Sequence, residues 1–147
     1  MKLARFLVPF TNGIQMNAVE QAIQFARNRN AVLVLISLIC VSKERWLKGP
    51  RLENMQQSKN FLEAVQYRAS QYGVSVEQLE VLTSNVGESI DLLSHKLECE
   101  AILLFMQNKS GVLLDTEEVK YVIEQTTHKL YIFRLDSRSN VMLQVCG

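Results

Sequence analysis

The sequence predicts an α/β fold, a parallel sheet with helices on both faces, and three observations carry that prediction. Short apolar runs alternate with helix-length stretches, and the alternation repeats five times along the chain. The run AVLVLISLI, residues 31 to 39, is apolar at almost every position, as expected of a strand covered on both sides. With 147 residues, 48% of them hydrophobic, the chain suits one domain built around one core.

The elements follow in order. RFLVPF (5–10) is a first strand, stopped by Pro9 and the turn formers Asn12 and Gly13. A helix is expected between Ile14 and Arg29, because Val19, Ala22, Ile23 and Ala26 fall at i, i+3, i+4 and i+7 while Glu20, Gln24 and Arg27 face outward. The second strand is AVLVLISLI. The connection VSKERWLKGPR (41–51) then leads to a long helix with Met55, Leu62, Val65, Ala69 and Tyr72 as its apolar stripe and Gly73 at the left-handed C-terminal position. VEQLEVLTS (76–84) is a weaker third strand, and Ile90, Leu93 and Leu97 mark a short helix. AILLFM (101–106) is the fourth strand. Asp115 with Glu118 is a capping pair for a last helix whose core face is Val119, Val122, Ile123 and Thr126. LYIFRL (130–135) closes the series as a fifth strand. The domain is thus placed at residues 1–135, and residues 136–147 form a tail, read as either an added edge strand or disordered.

Composition narrows the function classes. Lys plus Arg is 16 and Asp plus Glu is 15, so the net charge of +1 gives no global field toward nucleic acid or an anionic membrane, and either partner would need a local patch. The longest apolar run, AVLVLISLICV, is 11 residues, against the ~20 needed to span a bilayer. MKLARFLVPF is interrupted by Arg5 and is followed by no small-residue cleavage site, so no signal peptide is expected and a cytoplasmic location is. No membrane partner is expected either.

Cys40, Cys99 and Cys146 lie far apart with no CxxC and no His at ligand spacing; the expectation is two buried apolar thiols, one reactive tail thiol at Cys146, and no metal site. His95 and His128 have no Ser, Cys or Asp partner at readable spacing. There is no GxSxG, HExxH or Walker A sequence. No catalytic residue is nominated, and the reading leans away from an enzyme. In SKERWLKGPR, Lys43, Arg45, Lys48 and Arg51 surround Trp46, a pattern that can hold an anion or stack a base. The plainer expectation is a Trp folded back over the sheet edge, with nucleic acid disfavoured.

FLVPFTN, the helix after it, AVLVLISLI, NVGESIDLLSHKLECEAILLFM and KLYIFRL occur in an order that resembles the universal stress protein family over nearly all of residues 3 to 135. The resemblance rests on element order and length, on Val8-Pro9 at the end of the first strand, and on NVGESI before the third helix. It implies a Rossmann-like, flavodoxin-like α/β/α sandwich whose five-stranded parallel sheet has the order 3-2-1-4-5. It also implies a ligand crevice at the switch point between strands one and four, and pairing of strand 130–135 between subunits as a homodimer.

In nucleotide-binding members of that family the fourth strand runs into a G-x2-G-x9-G-[Ser/Thr] loop, and an Asp follows the first strand. Here Met106 and Lys109 stand where the first two glycines would be, and Thr116 and Glu117 where the final pair would open the helix; the loop is about three residues shorter. Thr11 stands in place of the Asp, and Gly111 is the lone glycine. Glycines matter there because a backbone without Cβ atoms can turn its N–H groups toward phosphate and take positive φ freely. The helix N-terminus that would attract phosphate carries Asp115, Glu117 and Glu118 instead, each worth a few tenths to about 1 kcal/mol to the helix as a counter-charge.

The expectation is therefore no cofactor, with ATP disfavoured. Thr11, Asn12, Val41, Gln107, Asn108, Lys109, Ser110, Gly111 and Thr116 are the residues assigned to the crevice, with Lys109 as an anion contact if a small ligand binds. The function expected is a non-catalytic stress-response or regulatory module with a degenerate nucleotide site, acting through dimerisation or a protein partner. The alternative is a genuine ATP or AMP binder with slow hydrolysis or phosphotransfer through an unconventional loop.

Overall fold

In the computed structural model, residues 2–135 are described in full and residues 141–146 by their backbone. The apolar run at Arg5–Phe10 forms β1, and Met16–Asn28 forms α1, which buries Ala18, Val19, Ala22, Ile23, Phe25 and Ala26. Val32–Cys40 is β2, buried along its length except at its last residue. A single 3-10 turn at Lys43–Arg45 precedes α2, Leu52–Gln71. Then come β3 (Val76–Thr83), α3 (Val86–Lys96) and β4 (Ala101–Gln107). A three-residue strand β5 (Ser110–Val112), α4 (Thr116–Gln125), β6 (Lys129–Arg134) and β7 (Val141–Cys146) complete the chain.

The sheet has the order β3-β2-β1-β4-β6-β7, with β5 paired to β4 off this path. The first five strands of that order are parallel, so the expected 3-2-1-4-5 arrangement is present with β6 as its fifth strand. On one face α1 and α2 cover Phe6, Val8, Phe10, Leu33 and Leu35; Phe10 stacks on Phe61 at 4.1 Å between ring centroids. On the other, α3 and α4 cover Leu7, Val34, Ile36, Ile102 and Leu104. Both faces of β1, β2 and β4 are thereby removed from water, which is why those strands read as continuous apolar runs.

Several expectations change. β7 pairs antiparallel with β6 from Lys129↔Cys146 to Arg134↔Val141 and takes up the hydrogen-bonding groups that LYIFRL would leave bare as an edge. Met55 is 43% exposed rather than part of the α2 stripe, whose buried members are Ser58, Phe61, Leu62, Val65 and Ala69. Ser58 is tolerated there because its hydroxyl bonds Ser37 Oγ at 2.6 Å and the Glu80 carboxylate. Cys99 is buried as expected, but Cys40, the last residue of β2, is exposed. The side chain of Cys146 lies outside the described residues. Trp46 does not fold over the sheet edge; it is 52% exposed.

Candidate functional site

The switch point lies where β1 and β4 part. They pair only at Phe6↔Ala101 and Leu7↔Ile102, so the carboxyl half of each is free to diverge. β4 pairs with β6 as far as Met106↔Arg134, and over Phe105 to Gln107 it also pairs with β5. Since β6 holds one edge of β4, β5 must occupy the other, on the side of β1. A hairpin of the chain itself therefore enters the place where a crevice was expected.

The hairpin turns at Asn108 and Lys109, whose φ values are +51° and +68°. Positive φ at both central residues marks a type I′ turn, the form whose twist suits a two-residue hairpin. The absence of glycine does not prevent a left-handed backbone here, as the sequence had suggested. Leu113 then takes φ +70° while its side chain is buried. That bend aims its carbonyl at β1, where it accepts from the backbone N–H groups of Thr11 at 2.8 Å and Asn12 at 3.3 Å.

Side chains close the joint further. Thr11 Oγ1 donates to Glu118 Oε1 at 2.7 Å, and Asn12 Nδ2 donates to Asp115 Oδ1 at 2.7 Å. Asp115 and Glu118 form the expected capping box of α4, with the Asp115 N–H donating to Glu118 Oε1 at 2.8 Å. The Gly111 N–H donates to Thr116 Oγ1 at 3.0 Å. A Cβ on Gly111 would lie 2.5 Å from the Leu114 carbonyl oxygen, so the glycine serves close packing of the hairpin against the start of α4.

Burial raises the pKa of the Glu118 carboxyl, and the neighbouring Asp115 charge adds to the rise; the bonds from Thr11 and the Asp115 N–H oppose it. A phosphate entering here would meet Asp115, Glu117 and Glu118 and would have to displace protein hydrogen bonds to reach the N–H of Thr11, Asn12 or Gly111.

The nine residues expected at the crevice separate into three groups. Thr11, Asn12, Gly111 and Thr116 meet in the joint. Gln107, Asn108, Lys109 and Ser110 lie at the hairpin's outer end, where Asn108, Lys109 and Ser110 are exposed. Val41 is buried, and its N–H donates to the Thr83 carbonyl at 2.8 Å. Beside the joint a shallow cavity of about 290 Å³ is lined by Cys40, Asn85, Gly87, Glu117, Glu118 and Tyr121, among others. Cys40, Asn85 and Tyr121 carried no sequence signal for this location. Leu113 acts through its carbonyl, which no side-chain pattern reports. Although Cys40 is exposed, partial desolvation of its thiol and the nearby Glu118 and Asp115 charges push its pKa up, away from the reactive thiolate. Among the described residues, no group of three or more His, Cys, Asp and Glu is placed to hold a metal ion.

At the opposite end of the sheet, His95 and His128, unpaired in the sequence reading, meet edge to face at 4.5 Å between centroids. His128 Nε2 contacts the Cys99 carbonyl, and Asp91 accepts from Thr126 Oγ1 at 2.6 Å. These contacts fasten α3 to the α4–β6 connection.

Comparison with known proteins agrees with this architecture. The family model of the universal stress protein family matches residues 3–134. No curated protein matches the sequence. A universal stress protein from Archaeoglobus fulgidus is similar in structure with a TM-score of 0.69 and 13% identity, over 88% of this chain and 92% of that one. The universal stress protein from Archaeoglobus fulgidus in complex with dAMP gives 0.68 and 14%, over 90% and 98%. A family protein from Arabidopsis thaliana with AMP bound gives 0.58 and 9%, over 89% and 91%. At these identities the likeness is one of fold.

Proposed function

Because the chain belongs to the universal stress protein family, we propose that it is a non-catalytic regulatory or stress-response module whose nucleotide site is closed by its own backbone. The observation that carries this reading is the Leu113 carbonyl held by the N–H groups of Thr11 and Asn12. The N–H groups of Thr11, Asn12 and Gly111 are already paired within the chain, and the helix N-terminus beside them carries its own carboxylates. A dimer made at the β6–β7 end of the sheet, with β7 outermost, or a protein partner, would carry the signal. A cytoplasmic location accords with this reading, and among the described residues no helix is long and apolar enough to cross a membrane.

A second reading, nucleotide binding with slow hydrolysis or phosphotransfer, is favoured by the dAMP and AMP complexes of the structural neighbours and by the cavity next to the joint. Calorimetry with Mg·ATP and with AMP separates the two. The closed-site reading expects no heat of binding up to millimolar nucleotide; saturable micromolar binding would replace it with the second.

A further inference from the structure

We propose that the β2–α2 connection, residues 42–52, is a docking surface for an anionic phospholipid bilayer. The large apolar side chains of this stretch project into water: Leu47 is 100% exposed, Leu52 82% and Trp46 52%. Three large exposed apolar side chains thus fall within seven positions of sequence, 46 to 52. Around it stand Lys43, Lys48 and Arg51, all exposed, and Arg45, whose Nε is buried without a hydrogen-bond partner. Between residues 42 and 53 there are four cations against the two carboxylates Glu44 and Glu53. A chain whose whole charge is +1 thus carries here the local patch that its composition alone could not supply.

The exposure is built into an ordered turn. Arg45 N–H donates to the Ser42 carbonyl at 3.0 Å, and the Lys48 and Gly49 N–H groups both donate to the Arg45 carbonyl, at 2.8 and 2.9 Å. Gly49, at φ +82°, swings the chain into α2. The turn therefore holds Trp46 and Leu47 outward at its apex.

Shape and chemistry together favour a bilayer over the other polyanions. A fully exposed leucine at an apex suits a soft apolar phase that can close around it, whereas stacking on nucleic-acid bases would serve Trp46 and leave Leu47 in water. Tryptophan is at home at the headgroup level, lysine and arginine stems lie along apolar surface with their charges outward, and a basic cluster is drawn to anionic lipid within a Debye length. The proposal is independent of whether the switch-point crevice takes a nucleotide.

Trp46 is the sole tryptophan, so its emission reports this turn alone. The test uses the full chain with sucrose-loaded vesicles of phosphatidylcholine, and of phosphatidylcholine with 30% phosphatidylglycerol, at 0.1 M salt, followed by sedimentation and Trp46 fluorescence. Co-sedimentation with the anionic vesicles, a blue shift of Trp46, and at least tenfold weaker binding of both Leu47→Gln and the Lys43→Gln/Lys48→Gln pair are expected. Leu47 makes no buried contact, so its variant keeps the fold, which far-ultraviolet circular dichroism checks. The proposal is overturned by no binding to either vesicle, by equal binding to both, or by unchanged binding of Leu47→Gln. Binding to a single-stranded oligonucleotide with Trp46 quenching and no vesicle binding would likewise overturn it and assign the patch to nucleic acid.

Discussion

Two connections leave the carboxyl end of the same sheet, and they use their polar and apolar groups in opposite ways. In the passage from β4 to α4, Leu113 and Leu114 are buried and the carboxylates of Asp115 and Glu118 bond Asn12 and Thr11. In the passage from β2 to α2, Leu47 and Leu52 face water and Lys43, Lys48 and Arg51 around them are exposed. The position of a loop in a fold therefore does not decide its role. The end of the sheet where ligands are expected in this topology holds one loop that completes the core and another that faces outward.

The contrast can be broken at Gly111. Gly111→Val would drive branched carbon into the Leu114 carbonyl, and overpacking of this kind costs about 2–3 kcal/mol, read as a lower urea midpoint with an unchanged slope. If the midpoint stays, the hairpin is not packed into the fold as described.

A smaller effect, about 1–2 kcal/mol at neutral pH, is expected for Thr11→Val, which removes a donor from a partly buried carboxylate. Its pH dependence carries a sign. The pKa of Glu118 is raised in the fold, so the stability linked to its protonation is fully present below its ordinary value of 4.5 and is lost as pH rises through the folded value. Losing the Thr11 bond raises that folded value further. The cost of Thr11→Val should therefore shrink when unfolding is measured in acid, and a cost that grows there would contradict the assigned role of Glu118.

The smallest effect sharpens the comparison in the other direction. Lys109→Gly relieves ~1–2 kcal/mol of left-handed backbone cost and returns part of it through a looser unfolded chain, for a net gain of up to about 1 kcal/mol in urea. A net loss would give the Lys109 side chain a contact that matters more than its backbone.

These two loops also mark where sequence reasoning succeeds and stops. Strands and helices were legible because burial on two faces leaves continuous apolar runs and burial on one leaves a 3.6-residue stripe; Val19, Ala22, Ile23 and Ala26 are all buried as their spacing demands. The Asp115 and Glu118 cap was legible because its chemistry is local. The hairpin was not, since β5 is three residues long and its turn is Asn108-Lys109 rather than the Asn-Gly pair that signals a type I′ turn. Nor could any pattern announce that a main-chain carbonyl would fill the switch point. Trp46 shows the same limit from the other side: an aromatic beside cations reads alike whether it folds inward or outward, and only the 3-10 turn decides.

The joint between Thr11 and α4 has one more consequence, for the order in which the chain comes together. Its contacts span 103 and 107 residues of sequence, so closing them carries the loop-closure cost of almost the whole domain. The amide protons of Thr11 and Asn12 are held by a carbonyl from the far end of the chain, and slow exchange at both is the expected sign that the joint opens with the sheet. The hairpin that occupies the switch point thus works as the closing stitch of the fold.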